Sequence, residues 1–303
     1  MPNTFRFVSV DGLQVFVRQW LPEEKPRAAI LIAHGAAEHS QRYERIANLL
    51  TSEGFAVYAP DHRGHGQTAG SLDQAGNAGP DGFNGILRDL HTLAKIMRGK
   101  YEAAPIFLLG HSMGATLSQR LIQLHSNLFS GVILSGSPGV RPNPEQAAAY
   151  TAQLAQGDNA EQTSEFFKKI FASFNDGLGQ IKSGYEWLSR DADEVQKYVD
   201  DPWCGFAFNN RLVAEMSQCA LEMSQSENIA AINKSLPILL FAGTQDRAGG
   251  NGEFVNNLAA LYRYANIVDV QVILYPEGRH EMLNETNRDQ VHRDLIAWLE
   301  KHI

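Results

Sequence analysis

The chain has 303 residues, 44% hydrophobic and 20% charged, with a formal net charge of −8. That is globular composition, with room for one large core carrying an insertion or for two domains. An acidic chain without Lys/Arg runs offers no footprint for nucleic acid, two cysteines build neither a disulfide framework nor a zinc spacing, and no apolar stretch is long enough to span a bilayer.

Met1–Val10 lacks a basic stretch followed by an apolar one, so no secretion signal is read there and a cytoplasmic protein is expected. Cys204 and Cys219 are then expected as buried free thiols. Phe5–Val10 and Leu13–Trp20 are rich in β-formers, and Asp11-Gly12 between them predicts a hairpin with a two-residue loop. Ala28–Ala33 is a continuous apolar run, the pattern of a strand buried on both faces. Arg42–Leu50 reads as a helix ending near Gly54, and Phe55–Ala59 as a second buried strand. Ile86–Arg98 has Ile86, Leu90, Leu93 and Met97 on one helical face, with Gly99 as a stop. Ile106–Leu109 is a third buried strand, Ala115–His125 a helix, and Gly131–Leu134 a fourth buried strand.

The alternation then breaks at Pro138, Pro142 and Pro144. From about residue 140 to 235 the pattern is helical and aromatic-rich, with Phe166, Phe167, Ile170, Phe171 and Phe174 at helical spacing, then Tyr185, Trp187, Trp203, Phe206 and Phe208. Strands resume at Ile238–Ala242 and Val270–Tyr275. A last helix is predicted over Arg288–Lys301, with Asn287 and Gln290 at capping-box spacing.

Strands alternating with helices imply an α/β fold: a mostly parallel eight-stranded sheet with helices on both faces, an antiparallel hairpin at one edge, and a helical cap inserted after the sixth strand. The expected division is a core of residues 1–139 and 236–303, and a cap of residues 140–235. Ligands of such sheets bind beyond the carboxyl ends of the strands. Five strand ends carry glycine-rich polar sequence there: His34–His39, Pro60–Gly66, Gly110–Gly114, Gly243–Asp246 and Pro276–His280.

Gly110-His111-Ser112-Met113-Gly114, between a buried strand and a helix, has the pattern of a nucleophile elbow. A serine hydroxyl is a poor nucleophile at neutral pH and needs a base, which in turn needs an orienting acid. His280 and Asp246 each follow a late strand and supply that order. Asp269 precedes a strand and so lies at the wrong edge. His34, His39, His62 and His65 precede the serine and read as loop-shaping hydrogen-bonders. His111 reads as a local packing residue, and His125, His292 and His302 as helix-surface residues. No histidine–carboxylate set has persuasive metal spacing, so no metal and no cofactor is expected.

These motifs resemble the monoacylglycerol lipase/lysophospholipase group of α/β-hydrolases, often labelled with serine aminopeptidases. The resemblance rests on His34-Gly35-Ala36-Ala37-Glu38-His39-Ser40 with Arg42-Tyr43, on Asp61–Gly66, on Gly110–Gly114, on Gly278–Glu285 and, in the insertion, on Leu188–Asp191 and Tyr198–Phe206. It implies ester cleavage by Ser112, Asp246 and His280, with the backbone N–H groups of Ala36 and Met113 forming the oxyanion hole. The substrate implied is a small-molecule acyl ester. Phe171, Trp203, Phe206 and Phe208 are candidates for its pocket, most of the other insertion aromatics being expected to pack. The insertion is expected to act as a lid, with transient lipid-surface contact open to it but no basic amphipathic helix to mark one. Peptidase action on the same machinery, and a non-catalytic scaffold, are the alternatives. The chain departs from the group at Ala37, where glycine is common, at Arg247, where proline is common and whose absence predicts a looser loop, and at Ala115.

Overall fold

A computed structural model describes residues 2–303; Met1, the first residue of the expected core, lies outside them. Eight strands form one sheet: β1 (Asn3–Val8), β2 (Gln14–Trp20), β3 (Ala28–Ala33), β4 (Phe55–Pro60), β5 (Ile106–His111), β6 (Gly131–Ser135), β7 (Ile238–Gly243) and β8 (Val270–Tyr275). Their order is β1-β2-β4-β3-β5-β6-β7-β8. The β1–β2 and β2–β4 pairs are antiparallel and all the others parallel.

The all-apolar strands are buried on both faces because each face is covered. Along β3, Ala29, Leu31 and Ala33 join one core while Ala28, Ile30 and Ile32 join the other. Helices α1 (Glu44–Ser52), a single turn α2 (Gly66–Ala69), α3 (Gly82–Lys100) and α4 (Met113–His125) lie in the first half. Between β6 and β7 come α5 (Pro144–Leu154), α6 (Glu165–Ser173), α7 (Ala192–Asp200), α8 (Asn210–Ser224) and α9 (Ser226–Ala230), followed later by α10 (Glu253–Tyr264) and α11 (Arg288–Lys301). Apolar stripes of α3, α4 and α10 cover one face of the sheet, and those of α1 and α11 the other. In the α3 stripe, Ile86, Leu90, Leu93 and Met97 are all fully buried, as their spacing requires. Fully burying one such side chain is worth about 1.5–3 kcal/mol, so these two layers hold the sheet rigid beneath its loops.

Three local expectations change. The β1–β2 connection spans Ser9–Leu13, with Ser9 N–H donating to Leu13 C=O (2.8 Å), so Asp11-Gly12 turns inside a five-residue loop. Gly12 takes φ +91° but Asp11 is not left-handed, and the type I′ turn requires both. No capping box forms at α11: the Asn287 side chain accepts from Arg190 instead (3.0 Å). His292 is buried, not on the surface, its Nε2 bonded to Leu283 C=O (3.1 Å). Among the described residues no helix is long and apolar enough to cross a membrane.

Candidate active site

The turn from β5 into α4 places Ser112 at φ +53°, ψ −115°, a left-handed backbone rarely taken by serine. The two flanking glycines permit it. A Cβ on Gly110 would overlap Gly114 C=O and Ser118 Oγ, and one on Gly114 would overlap Ala33 C=O. Ser112 N–H donates to Ser135 C=O on β6 (3.0 Å), fixing the turn to the next strand. The side chain therefore stands above the sheet at the N-terminus of α4, where free N–H groups and the helix dipole favour negative charge.

The ends of β7 and β8 bring Asp246 and His280 together. His280 Nδ1 lies 2.9 Å from Asp246 Oδ1, with both residues fully buried. Asp246 Oδ1 also accepts from Ala248 N–H (3.0 Å), so the acid is held by the start of its own turn. The loop after it is not loose: Arg247 Nε donates to Asp176 C=O (2.7 Å), and Asn251 N–H to Asp246 C=O (2.8 Å). His280 lies between His111 and Trp187, each ring centred 4.8 Å from its own. Asp246 takes Nδ1 of His280, which leaves Nε2 for another partner, and no hydrogen bond joins it to Ser112 Oγ among the described residues; in catalytic sites such bonds often tighten only when substrate binds.

Burial disfavours the charged imidazolium of His280, but the charge and hydrogen bond of Asp246 more than offset it, so its pKa is raised. His111 has burial without that partner, and the nearby His280 charge, and falls to about 4. Three of the loop histidines differ again. Burial holds His62 at about 3 and His65 at about 4, and pushes His34 well down. They are neutral hydrogen-bonders: His34 Nε2 accepts from His62 N–H (2.9 Å), which assigns the proton to Nδ1 facing Gly35 C=O (2.8 Å).

The loop after β3 lies against Ser112, since a Cβ on Gly35 would sit 3.3 Å from Ser112 Cβ. Gly35 N–H donates to Glu38 Oε1 (2.6 Å) and Ala37 N–H to His65 Nε2 (3.3 Å). The N–H groups of Ala36, between them, and of Met113, after the serine, have no acceptor among the described residues. Ala37 takes φ +53°, which is why glycine suits that position. Its C=O accepts from both Gly205 N–H (3.0 Å) and Tyr198 Oη–H (2.9 Å) of the insertion.

Beneath this loop runs a buried charged network that the sequence did not reveal. Arg42 donates to Glu38 Oε2 (2.7 Å) and, through both terminal nitrogens, to Glu281 (2.6 and 2.8 Å). Tyr43 donates to Glu38 Oε1 (2.8 Å). One guanidinium thus joins the loop carrying Ala36 to the residue following His280. Local spacing could reveal only the Glu38–Arg42 pair, because Glu281 is 239 residues away.

A cavity of about 220 Å³ opens between this loop and the insertion, lined by Ala37, Phe167, Phe171, Trp187, Tyr198 and Phe206 among others. Of the four candidate pocket residues, Phe171 and Phe206 line it; Trp203 is half-buried and does not, and Phe208 is fully buried, stacked on Phe167 (4.6 Å). Phe174 packs on Trp187 (5.0 Å) and Phe166 on Tyr150 (5.3 Å), the packing role expected of most insertion aromatics. Trp187 and Tyr198 carry no local motif for a pocket role; the aromatic density of the insertion was their only signal.

The family described as serine aminopeptidase, S33, matches residues 24–287. The chain is 31% identical to the rat (Rattus norvegicus) monoglyceride lipase over 96% of its length and 91% of that protein. It is 26% identical to the Mycolicibacterium smegmatis monoacylglycerol lipase over 98% and 96%. The crystal structure of a thermostable carboxyl esterase from Bacillus coagulans superposes with a TM-score of 0.92 at 29% identity, covering 99% of this chain and 98% of that one. The sheet, the elbow and these likenesses agree, and the chain belongs to the serine aminopeptidase S33 family of α/β-hydrolases.

Proposed function

We propose that the protein is a serine hydrolase cleaving carboxylic esters of the monoacylglycerol type through an acyl-enzyme on Ser112. The observation that carries this is the buried Asp246–His280 hydrogen bond (2.9 Å) at the same sheet edge as the strained, unpartnered Ser112. His280 Nε2 takes the Ser112 proton as Oγ attacks the ester carbonyl. The oxyanion that forms is met by the N–H groups of Ala36 and Met113; losing one such donor typically costs about 3 kcal/mol of barrier. His280 then returns the proton to the leaving alcohol, and activates water to release the acid. Asp246 holds the imidazole tautomer and stabilises the imidazolium. Residues 140–235 act as a cap over a core of 2–139 and 236–303, and the apolar cavity beneath it receives the acyl chain. The relatives named as monoglyceride lipases support this substrate class. Two free cysteines support a cytoplasmic site of action.

A fluorophosphonate probe and a substrate panel test the reading. The protein is expected to be labelled, to lose label and turnover in Ser112→Ala, and to prefer monoacylglycerols to short p-nitrophenyl esters and to amino-acid amides. Turnover retained in Ser112→Ala overturns the nucleophile. Faster cleavage of amides than of esters overturns the substrate class.

A further inference from the structure

We propose that His39, Asp201 and Cys204 form a zinc site joining the cap to the oxyanion-hole loop, whose filling slows turnover. The three come from distant parts of the chain: His39 follows β3, while Asp201 and Cys204 lie in the turn after α7. One ligand atom of each, a ring nitrogen, a carboxylate oxygen and a thiol sulfur, lies within 4.8 Å of the other two. His39 Nε2 is already 2.8 Å from Asp201 Oδ2. Sequence spacing could not reveal the set, because that pair is 162 residues apart.

The backbone beneath each ligand is held. Glu38, before His39, is bonded to Gly35 N–H (2.6 Å), and Ser40, after it, donates its N–H to Asp61 Oδ1 (2.9 Å). Asp201 C=O accepts from Cys204 N–H (3.0 Å), and its Oδ1 from Trp203 N–H (2.9 Å), leaving Oδ2 for the site. Tetrahedral zinc with bonds of about 2.0–2.3 Å sets its ligand atoms roughly 3.3–3.8 Å apart. The widest edge must close by about 1.5 Å or less, within reach of χ rotations of Cys204 and Asp201.

The charge around the site also favours a cation. Three carboxylates, Asp201, Glu38 and Glu281, act on Cys204 against the single guanidinium of Arg42. Burial first, and then those carboxylates, hold the thiol well above its usual range. Nitrogen, oxygen and sulfur donors together suit a borderline-soft, redox-inert ion, which selects Zn²⁺ over Mg²⁺ or Ca²⁺. On binding, Cys204 releases its proton to solvent, and the His39 imidazole shifts its proton from Nε2 to Nδ1, so that Nε2 coordinates through its lone pair and the ring stays neutral. Filling the site welds Asp201–Cys204 to the loop whose Ala37 C=O already accepts from Gly205, and so holds the insertion shut against the opening that substrate entry and product release would need. The effect on turnover rests on the proposed esterase function; the binding does not.

The test uses the full chain, stripped with chelator and titrated with Zn²⁺ against a chromophoric competitor, and separately with Co²⁺ as a spectroscopic probe. One equivalent of zinc is expected. The Co²⁺ form should show a thiolate-to-metal charge-transfer band. Zn²⁺ should lower ester turnover at least fivefold, reversed by chelator. Cys204→Ser should keep metal-free turnover, lose the band and bind zinc at least tenfold more weakly; Asp201→Asn should also weaken binding. Failure to bind one equivalent, a Co²⁺ spectrum without the thiolate band, or unchanged affinity in Cys204→Ser overturns the site. So does binding that disappears instead on replacing His91 and His125, whose stacked rings (3.8 Å) are a competing surface pair. Stoichiometric binding through Cys204 without inhibition overturns the clamp. A protein that binds zinc this way but never cleaves esters refutes the proposed function and leaves the site standing.

Discussion

Replacing Arg42 with Met removes the guanidinium while keeping most of the side-chain bulk. The partners left behind are Glu38 and Glu281, with side chains only 4% and 5% exposed. Burial raises the Glu281 pKa, but Arg42 outweighs it and brings the value from 4.5 down to about 2. At about 1.4 kcal/mol per tenfold change in the proton-binding constant, that is roughly 3 kcal/mol from one carboxylate. Breaking a buried ion pair by removing one partner costs about 3–5 kcal/mol, the same magnitude. With an unfolding entropy of about 2.1 cal/mol/K per residue, a chain of this length should lose roughly 5–8 °C in Tm. The penalty has a definite pH dependence. Because the folded-state pKa of Glu281 is depressed, its stabilisation is full above the usual value near 4.5 and fades as pH falls towards about 2. Arg42→Met should therefore be most destabilising near neutrality and less so at pH 4, where Glu281 without its partner can take up a proton. Differential scanning fluorimetry at pH 7.5 and pH 4, with Glu281→Gln and the double variant completing a cycle, measures this. A Tm loss below about 2 °C at pH 7.5, or one that grows on acidification, would refute the reasoning.

Two further outcomes follow from the site. Asp246→Asn removes the charge that holds the His280 pKa up while burial still pushes it down, so the acidic limb of kcat/KM should move to lower pH as activity drops by about 10⁴. A pH–rate profile checks this, and an unmoved limb would dissociate the pair. Ala37→Gly relieves a left-handed backbone worth about 1–2 kcal/mol, but gives up a buried methyl of about 0.8 and adds about 0.4–1 kcal/mol of unfolded-chain entropy. These nearly cancel, and thermal melts should shift by no more than about 2 °C; a larger gain means the surrounding bonds do not hold the loop as described.

The central sheet was legible because β3 through β7 are continuous apolar runs, and continuity is what burial on two faces imposes. The elbow was legible because its backbone demands glycines at fixed offsets around the serine. What resisted reading depends on partners far away in the chain. Asn287 and Gln290 have capping-box spacing, yet Arg190, almost a hundred residues earlier, takes the asparagine oxygen. His292 sits where a helix surface was expected, but the chain folds Leu283 over it. The half-buried state of Cys204, expected as a buried thiol, is set by the placement of the insertion and not by its neighbours in sequence.

The double acceptance at Ala37 C=O makes the cap an interlock. On the proposed function, the insertion in its present place supplies two bonds to the residue beside the Ala36 N–H that would meet the oxyanion, and an insertion that swung away would withdraw both together. On that reading an ester reaching the serine through an ajar entrance would meet a half-assembled anion trap, so that shutting the door and arming the catalyst would be a single event.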